Sequence, residues 1–135
     1  MLSNITNPTY LPRYVHDAFT FPATGNVERY TIVTRNGTPV ADGSINTFVD
    51  GIAGTQVPGD DADHFTLVTD EIAIVKVEAG ETIAYNDAVA AANTGTGRAR
   101  AGTIGTDRII GKSLDVSDGS GTAEKPHYVR VHLYL

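Results

Sequence analysis

The stretch YVRVHLYL, residues 128–135, decides the fold class of this chain. Apolar and polar side chains alternate along it with a period of two, which is the pattern of a strand that buries one face. The pattern predicts that one set of side chains faces a core: Val129, Val131, Leu133 and Leu135. The other set is predicted to face outward: Tyr128, Arg130, His132 and Tyr134.

Further short strands are predicted upstream of this stretch. Residues 72–77 (IAIVKV) form a nearly continuous apolar run, as in a buried strand. Residues 28–35 (ERYTIVTR) are rich in β-branched side chains, and Asn36-Gly37 supplies a hairpin-type turn after them. Shorter runs cover residues 45–50, 64–70 and 82–85, and a loop with three glycines and a proline, residues 50–63, separates the first two of these runs.

One segment has a composition that also allows a helix. Residues 86–93 (NDAVAAAN) are rich in alanine, which favours helix, and Asn86 is a suitable N-cap. A loop or a weak strand fits eight such residues equally well. With about seven to nine strands and at most one short helix, the chain is predicted to form a single all-β domain, an antiparallel β-sandwich or a barrel-like fold.

Residues 1–25 differ from the β-rich domain predicted for residues 26–135. Pro8, Pro12 and Pro22 exclude one long helix, so we expect an extended N-terminal arm. Its aromatic side chains are unusual for a disordered tail. The arm packs either on its own domain or, the alternative we favour, on a neighbouring subunit or another protein. The predicted contact residues of the arm are Tyr10, Leu11, Arg13, Tyr14, Val15, Phe19 and Phe21.

The composition excludes several classes of protein. A chain of 135 residues with 41% hydrophobic residues supports one core. The absence of cysteine rules out disulfides and thiolate metal sites. A net charge of −6, with scattered cations, argues against nucleic-acid binding. The sequence shows neither a signal-peptide pattern nor a run of roughly 20 apolar residues, so no membrane partner is expected.

The residues that carry chemistry form no catalytic pattern. Asp60, Asp61, Asp63 and His64 lie close together, and clustered carboxylates suit calcium, but the spacing is not that of an EF-hand loop. We interpret residues 59–64 as an acidic surface turn and leave cation binding open. The four histidines lie far apart, and the sequence contains neither a GxSxG elbow nor a complete P-loop around Lys112. A non-enzymatic protein without cofactor, metal or catalytic residues is predicted.

Five motifs in the second half of the chain suggest a family. They are AGETI at residues 79–83, GRARA at 97–101, IGKSL at 110–114, the glycine turn DGSG at 118–121 and the strand VRVHL at 129–133. Over residues 72–135 the chain resembles the small bacteriophage capsid decoration (cement) proteins. The likeness is one of turns and apolar positions.

The resemblance implies a structural virion protein, with residues 26–135 as a β-rich decoration domain. Such proteins are commonly homotrimers that bind the major capsid protein on the outer surface of an icosahedral head, clamp adjacent subunits and stabilise the expanded shell. Synthesis in the host bacterial cytoplasm would precede attachment. The acidic charge suits the outside of a particle better than its DNA-lined inside.

The sequence leaves two other classes of function open. One is a β-sandwich binding module of a phage tail or surface structure, recognising a carbohydrate or a receptor, although the chain has no tryptophan. The other is a small hydrolase or a cupin-like metal enzyme, which the lack of clustered His and Glu ligands opposes.

Overall fold

A computed structural model describes residues 2–11 and 18–135, with only the backbone at Tyr10 and Ala18. The described chain is all-β, as predicted, and its helical content is one 3₁₀ turn, Pro8–Tyr10. It holds no helix long and apolar enough to cross a membrane. The strands are β1 (Ala18–Pro22), β2 (Ile32–Val33), β3 (Gly51–Ala53), β4 (His64–Val68), β5 (Ile72–Lys76), β6 (Thr82–Ile83), β7 (Ala88–Ala91), β8 (Ala99–Ala101), β9 (Gly111–Ser113), β10 (Ser117–Asp118) and β11 (Tyr128–Leu133).

Two larger antiparallel sheets and one small ribbon organise these strands. The first sheet has the order β1-β4-β3-β2, and the second has the order β5-β11-β9-β7-β8. β10 pairs with β6 in the ribbon. In the second sheet β11 lies between β5 and β9, with Val129 opposite Val75 and Val131 opposite Ala73 and Ser113. The stretch that predicted the fold class therefore occupies an interior position in the larger sheet.

The two larger sheets share one apolar core. Ile32 and Ile52 from the first sheet belong to the same buried cluster as Val75, Val89 and Val131 from the second. This shared cluster makes the domain a β-sandwich. A second, smaller cluster contains other side chains of the first sheet together with loop residues: Val27, Val33, Ala53, Val57, Phe65 and Leu67. The first sheet is therefore covered by apolar packing on both faces.

The alternation in β11 is confirmed up to the end of the strand. Val129 and Val131 are fully buried and Leu133 is 5% exposed. The prediction for Leu135 is wrong, since this side chain is 41% exposed. The strand ends at Leu133, and the next backbone amide, of Tyr134, donates to the carbonyl of Ile110. The period of two therefore holds within the strand and does not extend to Leu135.

Of the predicted strands, one is much shorter in the structure and one is absent. Within residues 28–35 only Ile32–Val33 is strand, because Tyr30 has a φ of +68°, outside the extended region. No strand covers residues 45–50. The amide of Thr47 donates to the carbonyl of Ser44 in a turn, and the strand of this region, Gly51–Ala53, starts only after it.

The alanine-rich segment forms strand β7. Asn86 does not cap a helix: it lies in a turn with a φ of +69°, and strand β7 begins two residues later, at Ala88. Val89 pairs with Gly111 of β9 on one side and with Ala101 of β8 on the other. The eleven strands in the described residues exceed the expected seven to nine, because several have only two or three residues.

The described parts of the N-terminal segment pack on the same domain. The amide of Val116 donates to the carbonyl of Leu2, and the amide of Tyr128 donates to that of Ile5. β1 pairs along its length with β4. These parts therefore follow the alternative in which the segment lies on its own domain. Contact with a second protein stays a prediction for the side chains that remain exposed.

Candidate functional site: two exposed contact surfaces

The predicted contact residues of the N-terminal segment have different surroundings. Phe19 is 51% exposed, whereas Phe21 is partly buried against the smaller core cluster. Leu11 is partly buried and follows the 3₁₀ turn. The other predicted contacts, Arg13, Tyr14, Val15 and the side chain of Tyr10, lie outside the described residues. The structure thus brings together Phe19 and Phe21, whose ring centroids are 6.4 Å apart.

A groove opens beside Phe21, at the end of β1. It has a cavity volume of about 510 Å³, and its lining is mostly apolar. One wall continues from Phe21 to Thr24, and the other includes Arg35 and Asn36. The amide of Thr24 donates to the carbonyl of Asn36 over 3.1 Å, which ties the two walls together.

The groove continues past Phe19 as a second lobe. This lobe has a volume of about 350 Å³ and shares Phe21, Arg35 and Asp50 with the first. Phe19 and Leu67 supply its apolar lining. The two lobes together therefore form one elongated surface, called here the β1 groove.

Two charged residues lie within the β1 groove. The guanidinium of Arg35 sits over the ring of Phe21, 5.7 Å from its centroid, in cation–π geometry. The amide of Arg35 donates to a carboxylate oxygen of Asp50 over 2.8 Å. The groove lining thus carries one positive and one negative side chain, which cancel in net charge.

The acidic turn at residues 60–64 adjoins the groove. The amide of Ala23, a groove residue, donates to the carbonyl of Asp63 over 2.8 Å. One carboxylate oxygen of Asp61 accepts from the amides of Asp63 and His64. These bonds hold the pKa of Asp61 below its ordinary value. The predicted turn role of these carboxylates is thus confirmed. Potential ligand atoms of Asp61, Asp63 and His64 lie within 4.8 Å of one another, but all three residues are exposed.

A second surface consists of three large apolar side chains on two loops, called here the loop patch. Phe48 is 85% exposed, Ile104 is 82% exposed and Ile45 is 52% exposed. The loops are joined by backbone hydrogen bonds from Ile45 to the carbonyl of Thr106 and from Arg108 to that of Gly43. Sequence reasoning missed this surface, because an isolated apolar residue in a loop gives no sign of facing water.

A partly buried ion pair fixes the base of the loop patch. The guanidinium of Arg100 donates to both carboxylate oxygens of Asp107, over 2.9 and 3.0 Å. Asp107 also accepts from the amide of Thr103 over 2.7 Å. Its side chain is only 11% exposed, and the Arg100 hydrogen bonds lower its pKa to about 2. The loop that carries Ile104 is thereby held to the sheet.

The partner loop is held in a similar way. One carboxylate oxygen of Asp42 accepts from the amide of Ser44 over 2.9 Å and from the hydroxyl of Thr47 over 2.6 Å. A Cβ at Gly43 would collide with the carbonyl oxygen of Ala91 and with the Arg100 guanidinium, so this close approach requires glycine. Both loops of the loop patch are therefore held in place where they join the sheet.

The histidines in the described part of the chain do not converge. His64 contacts Asp63 at the surface, 2.7 Å away, and His132 is exposed beside Tyr134. His127 contacts the Ser117 hydroxyl over 2.9 Å, but these two residues are 6% and 1% exposed, so a substrate cannot reach them. Lys112 lies within strand β9, whereas a P-loop would lead into a helix.

Comparison with protein-family models and with curated proteins finds no match to this chain. The two exposed surfaces are therefore the features of the molecule that indicate a function.

Proposed function

We propose that this chain is a structural virion protein, a capsid decoration (cement) protein that binds the major capsid protein on the outer surface of a phage head and stabilises the expanded shell. The single observation that carries the proposal is the exposure of Phe48 and Ile104, each more than four-fifths accessible on a rigid base. The resemblance of residues 72–135 to cement proteins supplies the class of partner.

Exposed apolar side chains of this size favour burial in a partner. Covering a Phe or Ile side chain is worth about 1.5–3 kcal/mol. Because the Arg100–Asp107 pair holds the Ile104 loop, little conformational entropy is lost when a partner covers the patch. Exposed apolar side chains on neighbouring, firmly held loops are a common feature of protein–protein contact sites.

Assembly as a homotrimer would strengthen such a contact. Three loop patches on one closed ring bind a shell together, and the linked contacts raise the overall avidity by orders of magnitude. A cyclic trimer matches a threefold position on a capsid. The net charge of −6 is compatible with the exterior of the particle.

The proposal is tested by cosedimentation with expanded empty capsids of the phage whose genome encodes the chain. The wild-type protein should sediment with the capsids, and Phe48→Ala combined with Ile104→Ala should weaken binding about tenfold or more. Tyr85→Ala is the matched control, because Tyr85 is an aromatic residue 50% exposed on a different turn. Absence of wild-type binding, or equal binding by the double variant, would contradict the proposal.

A second candidate function is a binding module of a phage tail or surface structure. The β1 groove favours it, since about 510 Å³ is within the usual range for ligand sites. A glycan array probed with the labelled protein distinguishes the two functions. Specific glycan binding that Asn36→Ala abolishes would support the binding module over the cement protein.

A further inference from the structure

We propose that the β1 groove and the acidic turn beside it form a docking site for an extended peptide segment of a partner protein, with alternating apolar side chains and with Lys or Arg between them. The inference deepens the proposed function, because it names the chemistry of a second contact that is separate from the loop patch.

The shape of the groove suits an extended segment. Its two lobes meet at Phe21, and Phe19 and Leu67 line the outer lobe. The rings of Phe19 and Phe21 are 6.4 Å apart. Alternate side chains of an extended chain are separated by roughly the same distance, about 6.6 Å. Consecutive apolar side chains on one face of such a segment would therefore reach the two lobes in turn.

The charge around the groove selects a basic segment. The charges of Arg35 and Asp50 cancel within the lining, so the charges of the adjoining acidic turn set the sign of the local electrostatic potential. Asp60, Asp61 and Asp63 are all exposed, and the hydrogen bond from Ala23 to the Asp63 carbonyl holds the turn against the groove wall. Three carboxylates act over a Debye length of about 8 Å at physiological salt. They attract Lys or Arg and repel an acidic segment.

A carbohydrate fits this site less well than a peptide. Sugar rings bind by stacking on an open aromatic face, and the guanidinium of Arg35 already lies over the ring of Phe21, 5.7 Å from its centroid. Polar residues such as Thr34 and Asn36 contribute to the lining, but its exposed surface is mostly apolar, which suits the apolar side chains of a peptide better than the hydroxyls of a sugar.

The test uses three fluorescent peptides of about nine residues each, in which Leu alternates with Lys, Leu with Glu, and Ser with Lys. Fluorescence anisotropy against the full chain should show binding of the Leu/Lys peptide. The other two should bind about tenfold more weakly or worse, because one reverses the charge and the other removes the apolar side chains. Raising the salt from about 50 to 300 mM should weaken the Leu/Lys complex.

Two variants locate the site. Phe19→Ser and Asp63→Asn should each lower the Leu/Lys affinity about threefold or more, because Phe19 lines the outer lobe and Asp63 is a 75% exposed carboxylate. Ile104→Ser, in the loop patch, is the control and should leave the affinity unchanged.

Equal binding of all three peptides, or equal weakening by Ile104→Ser, overturns the inference. Glycan binding in the groove in place of peptide binding also overturns it. Capsid cosedimentation separates this result from the proposed function. If the protein binds capsids but none of the peptides, only the proposed docking site is contradicted. If it binds the Leu/Lys peptide but no capsids, only the cement-protein proposal is contradicted.

Discussion

The carboxylate of Asp115 and the guanidinium of Arg130 form a two-point hydrogen-bonded pair in the interior of the domain. Nε and one terminal nitrogen of Arg130 each donate over 2.9 Å, to different oxygens of Asp115. Asp115 also accepts from the amides of Arg130 and Leu2, and its side chain is fully buried. Burial alone would raise the pKa of Asp115, but these hydrogen bonds hold it below the ordinary value.

Asp115→Ala should destabilise the fold strongly. The substitution removes the buried carboxylate that accepts from the Arg130 guanidinium, which is 17% exposed, and it removes the anchor of the Leu2 amide. Breaking a buried ion pair from one side costs about 3–5 kcal/mol. Urea unfolding followed by circular dichroism measures the loss.

Glu124→Ala is the matched control for this prediction, because Glu124 is an exposed carboxylate. It should change the free energy of unfolding by about 0.5 kcal/mol or less. If Asp115→Ala costs no more than the control, the buried pair contributes nothing to the folded state.

Asp107 should make the stability depend on acid pH. Its folded pKa of about 2 lies below the ordinary value of 3.8, so its contribution is complete above about pH 4 and is lost as the pH falls through about 2. Asp107→Asn removes the charge. The variant should be about 1.5–3 kcal/mol less stable than wild type at pH 7, the worth of hydrogen bonds to a charged group.

The difference between wild type and Asp107→Asn should shrink as the pH falls from 4 to 2. Unfolding curves in urea at several pH values measure it. A difference that stays constant over this range would mean that the Asp107 charge does not stabilise the Arg100 contact.

Gly111→Ala should destabilise the larger sheet by crowding. A Cβ there would collide with the carbonyl oxygen of His132 and lie 2.9 Å from a methyl carbon of Val131. Both neighbours belong to β11, which cannot move without disturbing the core. Overpacking of this kind costs about 1–3 kcal/mol.

Gly25→Ala is the control for Gly111→Ala, because an added Cβ at Gly25 meets nothing within 4 Å. It should be neutral or slightly stabilising, since alanine restricts the unfolded chain. The two variants are compared by thermal and urea unfolding. Equal stabilities would show that β9 and β11 have room between them.

The purified protein should have a solution mass of about three times 14.3 kDa. A closed trimer is the assembly that the cement-protein proposal expects. Light scattering after gel filtration measures the mass. A monomer at all accessible concentrations would contradict the predicted homotrimer and increase the weight of the binding-module alternative.

The parts of the fold that sequence predicted are those governed by local periodicity. Val129 and Val131 follow the period of two because β11 buries one face of a continuous ladder. Tyr30 could not be predicted, since a tyrosine with a φ of +68° has no local signal. Ala88–Ala91 forms a strand although alanine favours helix, because this segment is buried between strands β8 and β9. A prediction from a short stretch of sequence does not include those two neighbours.

The candidate surfaces were less predictable than the fold. Phe19 and Phe21 could be named from the sequence, since aromatics in a proline-rich segment stand out. Phe48 and Ile104 could not, because side chains of their kind are more often buried. Their exposure follows from the pairing of two loops that are distant in sequence, through hydrogen bonds from Ile45 to Thr106 and from Arg108 to Gly43.

The hydrogen bond from the Leu2 amide to Asp115 spans 113 positions along the chain. Closing so long a loop costs conformational entropy, so we expect the N-terminal segment to join the sandwich after the sheets have assembled. Interactions that form after the folding transition state affect mainly the unfolding rate. We therefore expect the Leu2–Asp115 contact to slow unfolding, and so to prolong the lifetime of the folded domain, without speeding its formation.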